Sequence, residues 1–480
     1  MMKNLFRSVM FVVAATMAFT SCSKDQENGL PVENEQGYLF SFGVEDNTRT
    51  SLAGNAIKWE AGDLAGVFVT GSIPPTANVS ATIDLTKTPM VFNTTLKAAP
   101  AEGQTLYAYY PYTALSGANA TAFPMSILTV QRQQEANIFN GANNPLVGLP
   151  VALTAADLQK VMPVVKFRQL GSIIEYKLFS TNAAYAAETV LSVAFTADKA
   201  MAGSFNVDLT AVSNTTDPVI TGYTEQTITT RMSTAASIGV AKESASKIYM
   251  VVAPGTYSGA VTVTTDKAVY TFNITVAKDF KRAGIKELGV NLANADGRVA
   301  RTAATYTKIT SIDDLTTGEY IITATANATD YYAIPNAPNV ITGKIAGQRV
   351  VVSNNTIQEK DAAGCVWTIT KATGMTSPTP NNPTPAPYTY YTLNDGGQYL
   401  YHEQGGQRGD NLEYGMREVV QQWSVVYDAN EFKFVGIRRT AVQRRGLFFN
   451  AATVAGVGSN VFGGYSTSGY KKLTLFKKSV

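Results

Sequence analysis

The chain predicts an all-β fold class, and three features carry that prediction. Charged residues make up only 16% of its 480 residues, while Thr, Ala, Val, Tyr and Gly are abundant, a composition that favours exposed β architectures over helix bundles. Apolar side chains recur at a period of two in short runs broken by Gly, Pro, Asn and Asp turns. The last third repeats one pattern three times: an aromatic strand, a Gly-rich loop and a closing strand centred on Trp or Leu. This length exceeds what one core supports, so two or three domains are expected. A formal net charge of +3 gives no reason to invoke nucleic acid.

In chain order, Met1 to Ser21 has Lys3 and Arg7 at its start, an apolar run from Val9 to Phe19 and small residues before Cys22. That is the layout of a signal peptide, and it is shorter than the roughly 20 apolar residues a membrane span requires. The ending Phe19 to Cys22, FTSC, resembles the lipobox of bacterial lipoproteins, which implies acylation of Cys22 and a mature N-terminus there. The SKDQE that follows resembles the acidic signal that sends such lipoproteins to the cell surface in Bacteroidales. A precursor in the outer membrane, held by lipid, is the localisation this implies.

Next, in GYLFSFGVED, Tyr38, Phe40, Phe42 and Val44 alternate with Leu39, Ser41 and Gly43, the pattern of a strand docked on a core. Arg49 follows, the only arginine between Arg7 and Arg132. An arginine-directed protease therefore has one bond to cut in the leader, Arg49 to Thr50. The cut would release the lipid and the apolar strand together and leave an open, apolar sheet edge ready for another chain's strand. A solvated arginine in a turn after an ordinary first strand is the other reading.

After this come Trp59 to Asp63 (WEAGD), Leu106 to Tyr112 (LYAYYPY), VQRQQ at Val130 to Gln134, Lys166 to Glu175 (KFRQLGSIIE), IYMVVAPGTY at Ile248 to Tyr257 and KDFKRAGIKELGVNL at Lys278 to Leu292. In this order they resemble the fimbrillin-type pilins of Bacteroidales, over about residues 38 to 295. The resemblance implies two tandem β-sandwich-like, transthyretin-like domains, export as a lipoprotein, processing after Arg49 and polymerisation with other pilin subunits by strand exchange. The organisation expected is a signal peptide (1–21), a lipidated leader with a removable strand (22–49), two pilin domains (50–182 and 183–296, meeting near Thr181 to Ala187) and a C-terminal domain (300–480). From the residues alone, Tyr107, Tyr109, Tyr110 and Tyr112 read as a packed aromatic strand, and Ile173, Ile174, Tyr176 and Leu178 as a buried one.

A polar link near Gly297 to Thr305 leads to the third unit. Its repeat makes Trp367, Trp423 and Leu473 equivalent core positions and suggests a threefold fold of the β-trefoil type. The Pro-rich stretch Ser377 to Pro387 reads either as a solvated loop inside that fold or as a domain linker. Beside Tyr399, Tyr401 and His402 lies the loop GGQRGDN, and Tyr399, Tyr401, His402, Arg408 and Asp410 form a candidate surface for a glycan or a protein on a host or bacterial cell. The Arg408-Gly409-Asp410 tripeptide is one that residue frequencies produce by chance.

Chemistry for catalysis is sparse. His402 is the sole histidine and Cys365 the sole cysteine besides Cys22, so no enzyme, metal site or cofactor is expected. Lys471 to Lys478 closes the third repeat, so the chain is expected to accept a strand without donating one. A pilus tip adhesin needs that arrangement. The rivals are a membrane-retained pilus anchor or assembly lipoprotein, and a surface glycan-binding lipoprotein outside any pilus.

Overall fold

The computed structural model describes residues 38–480 apart from 45–50, 54–55, 71–77, 97, 114–118, 159–162, 214, 216–217, 219, 337, 339, 342, 376–386, 396–397, 403–411, 416–421, 429–430, 439–440, 455–456, 467–470 and 480. Contacts divide the chain into Met1–Gln36 and Gly37–Val480, and every described residue belongs to the second unit. Its elements are nearly all strands, as the composition predicts.

The first sheet is built from β1 (Tyr38–Val44), β2 (Leu64–Thr70), β3 (Val79–Asp84), β4 (Val91–Leu96) and β5 (Thr105–Tyr110). After them β6 (Val130–Gln133) leaves for another sheet, and β7 (Leu146–Gly148), β8 (Val164–Val165) and β9 (Phe167–Gln169) return. The strand order is β8–β1–β4–β3–β2–β5–β7–β9. Only Lys166 separates β8 from β9, so the two ends of the sheet meet and it rolls on itself. Val67, Val69, Phe92, Leu106, Tyr110 and Phe167 fill the roll. Phe68, Tyr107 and Tyr109 face the opposite way, into the next core, as the alternation of strand side chains dictates. Tyr109 lies across Gly66, where a Cβ would sit 2.0 Å from its ring.

The next body pairs two sheets. β10 (Ser172–Phe179) is the centre of a small one; β11 (Thr189–Ala197) and β12 (Thr227–Ser237) belong to the larger one. β13 (Ser246–Val252), β14 (Gly255–Thr265), β15 (Ala268–Phe280), β16 (Ile285–Asn291) and β17 (Gly297–Ala300) complete them. The orders are β13–β10–β16 and β17–β15–β14–β11–β12–β6. Ile174, Tyr176, Leu178, Phe195, Ile228 and Met250 meet in their common core. β10 precedes the seam expected near Thr181 to Ala187, and among the described strands it pairs with β13 and β16, as the spine of the smaller sheet. The polar link expected at Gly297 to Thr305 begins as a strand, β17, hydrogen-bonded to β15. Arg298 anchors it, stacked 4.9 Å from the Tyr185 ring centre and paired at 3.2 Å with the buried Glu188 carboxylate.

The third unit comprises β18 (Thr305–Lys308), β19 (Gly318–Thr325), β20 (Tyr331–Ala333), β21 (Gln348–Val350), β22 (Val366–Met375), β23 (Pro387–Asn394) and β24 (Tyr399–His402). It continues with β25 (Leu412–Gly415), β26 (Trp423–Asp428), β27 (Glu431–Arg438), β28 (Ala441–Asn450), β29 (Val461–Ser466) and β30 (Thr474–Lys478). Pairing runs β19–β22–β23–β26–β27 and returns to β19 through β30, with the β27–β30 contact a bridge at Phe432 and Leu473. Three hairpins, β20–β21, β24–β25 and β28–β29, hang from this ring. Trp367 sits opposite Tyr320, Trp423 opposite Tyr391 and Leu473 opposite Phe432. All three closing residues are fully buried. The Trp367 indole donates to the Ile334 carbonyl at 3.0 Å, and the Trp423 indole to the Leu400 carbonyl at 3.2 Å. Both indoles bond to a backbone carbonyl in or just past a hairpin strand. The Pro-rich stretch lies outside the described residues except for Pro387, which opens β23.

Candidate functional site: a slot filled by the first strand

β1 is the stave that closes the rolled sheet. Along one edge it runs antiparallel to β4, with Phe40 opposite Thr94 and Phe42 opposite Phe92. Along the other, among the described residues, it meets β8 in parallel at Gly43 and Val44, with the Gly43 amide donating to the Pro163 carbonyl at 2.9 Å. Period two sorts its side chains as its sequence predicts. Phe40 and Phe42 point inward, at 5% and 0% exposure, and Leu39 points out at 82%. Burial of each phenylalanine contributes about 1.5–3 kcal/mol; the ladder bonds to β4 are backbone bonds that any strand could make, supplemented by the Ser41 hydroxyl donating to the Asn93 side-chain oxygen at 2.7 Å.

The floor of the slot is aromatic. Phe42 stacks on Phe92 at 5.3 Å between ring centres, and Trp59 meets Phe92, Tyr110 and Phe167 edge-on at 5.0, 5.2 and 5.4 Å. The WEAGD motif holds this floor in place. Gly62 turns the chain at φ +94, a conformation glycine adopts without strain. Asp63 then accepts the Glu60 amide at 2.8 Å and the Tyr110 hydroxyl at 2.7 Å. Burial first, and then the Asp63 carboxylate, raises the Tyr110 phenol well above its ordinary range, so it remains a hydrogen-bond donor. The motif and the tyrosine run were legible in the sequence. Their convergence under β1, and the two-residue strand β8 that makes a slot out of an edge, were not, since Val164 and Val165 are too short a run to signal a strand.

Cys22, Arg49, Thr50, Arg408 and Asp410 lie outside the described residues. Tyr399, Tyr401 and His402 form β24, opposite Gly415, Glu413 and Leu412 of β25. Tyr401 is 4% exposed and packs inward, whereas Tyr399 is half-buried. Cys365 is buried, and burial pushes its thiol up to about 12, which removes it as a nucleophile at neutral pH. Among the described residues no group of His, Cys, Asp and Glu is placed to hold a metal ion, and no helix is long and apolar enough to cross a membrane.

No family model and no curated protein matches the chain. Among solved structures it is similar to a "putative cell adhesion protein" from Bacteroides uniformis, 15% identical over 57% of this chain and 99% of that one, with a TM-score of 0.36. A protein of the same description from Bacteroides ovatus is also 15% identical, covering 56% of this chain and 97% of that one, at a TM-score of 0.35. A fimbrial protein from Bacteroides ovatus is 14% identical, covering 72% of this chain and 67% of that one, at 0.28. The likeness lies with Bacteroides adhesion and fimbrial proteins.

Proposed function

We propose that this chain is a fimbrial subunit, exported as a lipoprotein through Cys22 and freed by a cut between Arg49 and Thr50. Its slot then takes a strand from a neighbouring pilin in place of β1. The observation that carries this reading is the position of β1: it closes a rolled sheet, presents one apolar face and, among the described residues, is paired on its second edge at Gly43 and Val44. Strands held mainly by backbone bonds and alternating apolar pockets are the kind that other chains replace. The adhesion and fimbrial descriptions of the structural neighbours are in keeping with it.

The third unit is the adhesive part in this reading, and its fold is a β-trefoil. The returning ring of pairings, the three hairpins and the two indole bonds support that assignment. In this reading the subunit sits at the tip, where the third unit can meet a surface; β30 belongs to that unit, paired on both edges with β18 and β19.

The test uses protein that begins at Thr50, mixed with a peptide of residues 38–44 and with a Phe40→Asp, Phe42→Asp version of it. Saturable binding and a raised Tm with the first peptide alone are expected. Equal binding of both peptides, or of neither, would sink the slot reading. N-terminal sequencing of surface protein separates the alternatives: Thr50 fits a fimbrial subunit, and acylated Cys22 fits a retained anchor or glycan-binding lipoprotein.

A further inference from the structure

We propose that a buried ion pair between Arg132 and Asp395 is a latch that holds the third unit in a single orientation on the rest of the chain. β6 sets it up. Its sequence VQRQ sends Gln131 and Gln133 to one side, where their amides copy the hydrogen bonding of a strand. Gln131 donates to the Val251 carbonyl at 2.6 Å and accepts the Val251 amide at 2.7 Å; Gln133 donates to the Lys247 carbonyl at 2.9 Å and accepts the Tyr249 amide at 2.7 Å. Both side chains thereby seal the open edge of β13. Alternation then drives Arg132 the opposite way, into the third unit.

There its Nη2 donates to the Asp395 carbonyl at 2.8 Å and lies 3.4 Å from the Asp395 carboxylate, with both side chains 3% exposed. Asp395 also shapes the turn from β23 to β24, by accepting the Gln398 amide at 3.0 Å. The seam around the pair is close. The Gly364 amide donates to the Ser233 carbonyl at 3.0 Å, and a Cβ on Gly364 would sit 2.1 Å from the Ser233 Cα. At the link, Arg301 meets Glu359 at 2.6 Å, and the same carboxylate accepts the Ala304 amide at 2.8 Å.

Apolar seams tolerate sliding, but a desolvated charge does not. With the seam shut the two charges face each other, and with it fully open both groups are hydrated. Intermediate positions strand a charge out of water, at a cost far above the net worth of the closed pair. The latch is therefore two-state and fixes direction more than it adds stability. Tyr399 and the β24–β25 hairpin begin just past Asp395, so the latch would also aim that hairpin. This last consequence rests on the adhesive reading; the latch itself does not.

The test compares the full chain with Arg132→Gln and Gly364→Ala, using calorimetry and protease cleavage within residues 297–305. The unaltered chain should melt its second and third bodies together and resist cleavage in the link. Arg132→Gln should split the transition and raise link cleavage roughly a hundredfold, on the scale of a broken buried pair. Gly364→Ala leaves β6 and every charge intact, and it should do the same by steric means. A single transition with unchanged cleavage in either variant would overturn the latch. Neither readout involves a ligand, so failure of the adhesive reading would leave the result standing.

Discussion

Strand β1 closes the first sheet and strand β30 closes the third unit, and the two are held in different ways. β1 buries one face and, among the described residues, pairs with its second neighbour at Gly43 and Val44. β30 pairs with β18 along one edge and β19 along the other. It also feeds two cores, with Leu475 in one and Phe476 in the other. A one-faced strand can be exchanged for any segment of like alternation, because its bonds are generic. A two-faced strand cannot, because two sets of pockets would have to be refilled at once.

The comparison can be broken most decisively at β30. Leu475→Asp should cost about 5 kcal/mol or more, since it opens a cavity and buries an unpaired charge. Circular dichroism should then show the third unit unfolded while the first sheet still melts cooperatively. A third unit that kept its native melting would remove the contrast. Phe42→Ala should come next, lowering stability by about 3 kcal/mol in chain that retains β1. A loss below about 1 kcal/mol by denaturant titration would mean that Phe42 does not fill the slot.

Smaller effects sharpen the picture. Asp63→Asn keeps the shape of the turn but weakens the bond to the Tyr110 hydroxyl, and should cost about 1–2 kcal/mol by denaturant titration. It should also weaken peptide binding in the slot, whereas a change confined to stability would separate the WEAGD turn from the slot floor. Leu39→Ser should be silent within about 0.5 kcal/mol, because Leu39 is 82% exposed. A large loss there would place that face of β1 against something else in the assembled protein.

Much of the slot was legible beforehand. The alternation from Tyr38 to Val44, the glycine turn after Trp59 and the aromatic run at Leu106 to Tyr112 each state a local preference, and each was met. The burial of Trp367, Trp423 and Leu473 was legible in the same way. The layer that β10 joins was not legible, because β10 reads as one more buried strand and nothing in its own residues names its partners. VQRQ was visible as a signature without a role, since the partners of Gln131, Arg132 and Gln133 lie more than a hundred residues away.

The amino-acid order by itself determined that this chain is all-β, which face of each strand turns inward and where its turns fall, because those properties depend on period-two alternation and on backbone freedom at single residues. Tertiary structure alone decided that the first sheet rolls shut, that β8 faces β4 across a slot and that Arg132 finds Asp395. Such outcomes depend on strand order and on contacts between distant segments, where burial and closure of the whole sheet outweigh any preference written into a few neighbouring residues.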